Sequence, residues 1–145
     1  MTTNYYSFLK VFGLLIFNLF IGHYFAPTGI LLTPVILIIC AWTIAFRTSG
    51  LNIMLKTICI FCCVGLNDIF IKLYSGGTHD REGLGWIHAL TLIGLIPTFG
   101  ILIKTILEDK AASKIKIASV ILFPTLLTIY YYFFMDLGLG RNHSL

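Results

Sequence analysis

Asp68 stands inside the run ICIFCCVGLNDIFIKLY, where almost every neighbour is apolar. A carboxylate in such a segment costs about 3 kcal/mol on membrane-insertion scales, so it calls for a partner or a role. Lys72 follows four residues later, the spacing that puts two side chains on one helix face. One reading is an intrahelical pair close to a membrane surface, with the Lys72 side chain reaching outward to water. The other is a polar cavity in which Asp68 acts with Asn67, Asn18 and His88 on a cation, a proton or a polar ligand. Asn18, Asn67, Asp68, Lys72 and His88 are therefore the candidate polar cluster.

A second group lies in SGGTHDREG and just beyond it. His79, Asp80, Glu82 and His88 offer the imidazole and carboxylate donors that zinc accepts. Their spacing matches no defined zinc site, since those rely on cysteine pairs or on HxxxH-type spacing. The same loop reads as a structural cap, with Gly76-Gly77 as a turn and Asp80 or Glu82 complementing the dipole of the next helix. No cofactor is implied.

Cys59 and Cys62 stand at CxxC spacing, with Cys63 adjacent and Cys40 in another apolar run. Thiol–disulfide chemistry needs a thiolate in a polar, accessible place, and no cysteine lies in a loop. These cysteines are expected to be inert packing residues. His88, Thr91, Leu95 and Thr98 share one helix face, and Pro97 is expected to kink that helix. Thr125, Thr128 and Tyr132 repeat the pattern around Pro124, so the two threonine seams either enclose a cleft or bind their helices together. Trp86 and the run from Tyr130 to Phe134 are expected to anchor helices at a membrane surface.

The elements that carry these residues are apolar and long. Charged residues make up 11% of the 145-residue chain and hydrophobic ones 58%, which a soluble domain of this size could not bury. Five apolar stretches cover about 5–25, 30–46, 53–74, 84–107 and 115–135 within one transmembrane domain, 1–145. About 20 residues of helix cross a bilayer core, so only the second stretch is short. None alternates with period 2, and backbone groups in lipid must be satisfied within a segment, so the expected fold is an all-α polytopic bundle. The first stretch lacks a small-x-small cleavage site and reads as a retained anchor.

With the N-terminus cytoplasmic, Lys10, Arg47, Lys56, Lys104, Lys110, Lys114 and Lys116 fall on the inner side. Lys72, Arg81 and Arg141 fall on the outer side, which satisfies the positive-inside bias and puts the C-terminus outside. The net charge of +4 is spread over membrane flanks and points to lipid headgroups rather than nucleic acid. Richness in Ile, Lys, Phe and Tyr suggests a bacterial inner-membrane protein. With no coherent catalytic set, the expected function is a non-enzymatic accessory or scaffold subunit, associating with other membrane subunits or with itself. The alternatives are a transporter or channel protomer built on Asp68 and His88, and an extracytoplasmic metal-binding or catalytic membrane protein.

Overall fold

The computed structural model describes residues 2–143. Five helices, α1 (Thr2–Tyr24), α2 (Thr28–Arg47), α3 (Ile53–Tyr74), α4 (Arg81–Glu108) and α5 (Ser113–Phe134), account for nearly all of them. Two short strands, β1 (Gly77–Thr78) and β2 (Asn142–His143), form one antiparallel pair. All five helices are long and apolar enough to cross a membrane. The stretch expected to be short is a 20-residue helix, because Thr28 and Gly29 extend it at its start and Arg47 at its end. Prolines 34, 97 and 124 all lie inside continuous helices.

Helices α2 and α3 are central. α3 touches the four other helices, while α2 packs on α1, α3 and α4; α5 rests on α3 and only lightly on α4. The apolar core is built from side chains such as Leu15, Leu37, Ile44, Ile60, Leu102 and Phe123. Small residues set the closest crossings, as they do between helices that lack a water-driven force to pull them together. A Cβ on Gly29 would lie 2.3 Å from Gly22 Cα, at the α1–α2 crossing. One on Gly94 would lie 2.8 Å from Pro34 Cα, at the α2–α4 crossing. Large apolar side chains such as Phe12, Phe20, Ile96, Ile121, Tyr132 and Phe133 point away from the bundle.

The connections sort into two ends. At one, the α1–α2 turn meets the α3–α4 loop through Gly76 N–H donating to Gly22 O (2.8 Å), and β2 brings the C-terminal tail onto that loop. This is called the tail end below. At the opposite end, Asn4 donates to Ser49 O (2.7 Å) and Lys56 to Ala45 O (2.8 Å). The Lys116 ammonium likewise meets Leu107 O (2.9 Å), so lysines there satisfy last-turn carbonyls that have no intrahelical donor. Asn52 and Asp80 cap the starts of α3 and α4, accepting from Leu55 N (2.8 Å) and Gly83 N (2.7 Å).

Candidate functional site

Every helix sends a polar residue to one level near the tail end. Asn18 and Asp68 each lie six residues before the ends of α1 and α3, His88 seven residues into α4, Thr33 five residues into α2, and Tyr130 four residues before the end of α5. At 1.5 Å per residue these positions fall in a band about 6–11 Å below the tail end. Asn18, Thr33, Asn67, Asp68 and Lys72 are all buried.

Asp68 is the centre of that band. Its Oδ2 lies 2.7 Å from Lys72 Nζ and accepts a 2.7 Å hydrogen bond from the Tyr130 hydroxyl. The Lys72 ammonium also donates to the carbonyl of Phe134 at 3.0 Å and lies 5.6 Å from the Tyr131 ring centroid. Tyr130 O–H comes within 3.4 Å of Gly65 O, but its single proton serves the shorter, charged acceptor. The i,i+4 pairing of Asp68 with Lys72 matches the sequence expectation, but the outward reach of Lys72 does not. Its side chain is fully buried, and the ammonium finds two acceptors inside the bundle, the Asp68 carboxylate and the Phe134 carbonyl.

A second group joins α1, α2 and α3. Asn18 Nδ2 donates to Asn67 Oδ1 at 2.9 Å, and Asn67 Nδ2 reaches Thr33 Oγ1 at 3.5 Å. His88 completes the layer from α4: its ring packs edge-on against Tyr131 at 5.9 Å and reaches the Met135 backbone. Lys72 and His88 thus share the Tyr131 ring as a neighbour. Within this layer Asn18 Oδ1, Asp68 Oδ1 and His88 Nε2 are buried without a hydrogen-bond partner.

The aromatic run expected to serve as an anchor divides between core and surface. Tyr130 is 6% exposed and bonded to Asp68, while Tyr132 is 84% exposed. Consecutive residues of a helix point about 100° apart, so a run of tyrosines must divide between core and surface. Thr33 and Tyr130 were not legible as cluster members; the level they share with Asp68, counted from the helix ends, is the signal that finds them.

The threonine seams divide in the same way. Thr91, Leu95 and Thr98 are buried on one face of α4, as their spacing implies. On α5 the Thr125 and Thr128 hydroxyls are exposed and bond back to Ile121 O (2.8 Å) and Pro124 O (2.9 Å), so that face encloses no cleft. The loop donors do not converge either. Asp80 is taken up as the α4 cap, Glu82 points outward, His79 is buried under the tail, and His88 lies two turns into α4. Among the described residues no three His, Cys, Asp or Glu side chains gather as metal ligands. Cys40, Cys59, Cys62 and Cys63 are all free; Cys62 is exposed, and Cys63 is buried beside Cys40 of α2.

A cleft of about 500 Å³ opens at the tail end between the start of α2, the α3–α4 loop and the start of α4, lined by Ile30, Leu31, Trp86 and Leu90 among others. None of Asn18, Asn67, Asp68, Lys72 or His88 lines it. No family model, curated protein or solved structure matches this chain.

Proposed function

We propose that this protein is a small non-enzymatic membrane subunit, an accessory or scaffold whose polar layer holds five spanning helices in fixed positions. The observation that carries this reading is that its charged and amide groups are bonded to one another from helix to helix. The Asp68 carboxylate is held by Lys72 and Tyr130, Lys72 by the Phe134 carbonyl, and Asn18 by Asn67. Such bonds between helices substitute for the hydrophobic force that lipid cannot supply. The outward apolar faces of α1 and α5 are then available to lipid, to neighbouring membrane proteins or to a second copy. The distribution of basic residues supports a cytoplasmic N-terminus with the tail end outside, and the composition fits a bacterial inner membrane.

Extraction in mild detergent through an affinity tag tests the reading. A stoichiometric membrane partner supports it. A homogeneous homo-oligomer that conducts or transports after reconstitution overturns it.

One observation favours a second reading, a transporter or channel protomer. Asp68 Oδ1 and His88 Nε2 are both buried acceptor-capable atoms left without partners. Buried orphans of this kind often mark a bound water, an ion or a proton path. Under that reading, replacing Asp68 abolishes flux in reconstituted vesicles while the protein still folds.

A further inference from the structure

The tail after α5 crosses back over the end of α3 instead of leaving the bundle. It descends through successive turns, with Leu137 N donating to Phe134 O (3.2 Å), Leu139 N to Asp136 O (3.1 Å) and Arg141 N to Gly138 O (3.1 Å). It is fastened to the α3–α4 loop by His79 N donating to Arg141 O (3.0 Å) and Gly140 N donating to His79 O (2.8 Å). The strand pair continues this seam, with Gly77 opposite His143 and Thr78 opposite Asn142.

Gly138 is the point of closest contact. It is buried, has φ +85°, and a Cβ there would lie 2.3 Å from the Lys72 carbonyl oxygen. Both the backbone conformation and the space therefore demand glycine. The root of the tail is held from below, because Phe134 O accepts from Lys72 Nζ as well as from Leu137 N. Lys72 lies only two residues before the end of α3, a position from which a lysine ordinarily reaches water, yet it is fully buried.

We propose that residues 136–143 form a strap that closes the tail end of the bundle over the Asp68–Lys72 pair. The exclusion of water from that pair depends on the strap rather than on the helices alone. Lifting it exposes the Lys72 backbone carbonyl and opens a route to the ammonium while α3 and α5 stay helical. The strap therefore controls entry of water and small ions to the buried charges, whichever of the two functions the protein performs.

Lysine acetylation of the full-length chain in mild detergent, read by mass spectrometry, tests this. Lys104, whose side chain is 61% exposed, is the internal reference. In the unaltered protein Lys72 should be protected while Lys104 reacts. Gly138→Val should raise Lys72 labelling relative to Lys104 by about tenfold or more, because protection then needs no global opening to be lost. Gly140→Val is the milder companion: it strains a residue at φ +78° with open space around it, and should raise Lys72 labelling in the same direction.

In a chain whose four cysteines are replaced by Ala, the pair Thr78→Cys and Asn142→Cys should cross-link under mild oxidation. Adding that cross-link to Gly140→Val should restore protection of Lys72. The proposal is overturned if Lys72 labels as fast as Lys104 in the unaltered protein, or stays protected in both glycine variants. Absence of the Thr78–Asn142 cross-link overturns it equally, even if Gly138→Val proves unable to fold.

Discussion

The Tyr130 hydroxyl donates to Asp68 Oδ2 over 2.7 Å, joining two helices from residues 62 apart in the chain. Together with the bond from Lys72 to the Phe134 carbonyl, it ties α5, the least buried of the five helices, to α3. Hydrogen bonds to charged groups contribute about 1.5–3 kcal/mol in soluble proteins, whereas interhelical bonds in a membrane average only about 0.6. Tyr130→Phe should therefore lower unfolding stability by about 1–2 kcal/mol, between those limits. Thermal denaturation in detergent measures it, and a change under about 0.3 kcal/mol would show the bond to be dispensable.

Lys72→Met should be far more damaging. It leaves Asp68 as a buried carboxylate with Tyr130 as its remaining donor, and breaking one side of a buried pair costs about 3–5 kcal/mol. Membrane-extracted yield should fall sharply. A variant that accumulates and melts like the unaltered protein would show that Asp68 is neutral or hydrated in the native bundle.

Gly29→Ala should destabilise by about 1–3 kcal/mol, the range for overpacking a tight contact. Its added methyl meets Gly22 backbone at the α1–α2 crossing. Gly13→Ala, where nothing lies within 4 Å, should instead be neutral or stabilising by up to about 1 kcal/mol through helix propensity. Unfolding midpoints compared for the two variants check the sign reversal.

Asp80 separates a helix cap from a metal ligand. Asp80→Asn should preserve stability, because Asn caps as well as Asp, while Asp80→Ala should lose about 1 kcal/mol. Zinc titration by calorimetry of the unaltered chain should give no saturable heat. Tight binding that Asp80→Asn abolishes would restore the loop as a metal centre.

The five helices were legible because a long apolar run without period-2 alternation satisfies its own backbone groups most simply as a helix. The Asp68–Lys72 pair was legible for a similar reason, since four-residue spacing within one helix needs no knowledge of its neighbours. What stayed hidden depends on which helix faces which. Tyr130 could not be told from Tyr132 without knowing the rotation of α5, and Thr33 could not be joined to Asn67 without the α2–α3 crossing. The burial of Lys72 was hidden most deeply, because it depends on a tail that folds back across the helix end through Gly138.

The most direct test of the polar layer as a structural lock replaces its charged centre with apolar side chains of similar size. The triple variant Asp68→Leu, Lys72→Met and Tyr130→Phe removes every charged and hydroxyl group at that centre together. Buried ion pairs replaced in this way are often neutral or stabilising, unlike pairs broken from one side. The quantity to measure is the yield of folded protein, together with recovery of whatever membrane partner co-purifies with the unaltered chain. A structural lock requires both to return to near the unaltered level, well above Lys72→Met alone. Normal folding with loss of the partner, or with loss of ion or substrate flux in vesicles, would contradict it and assign the chemistry of Asp68 to function.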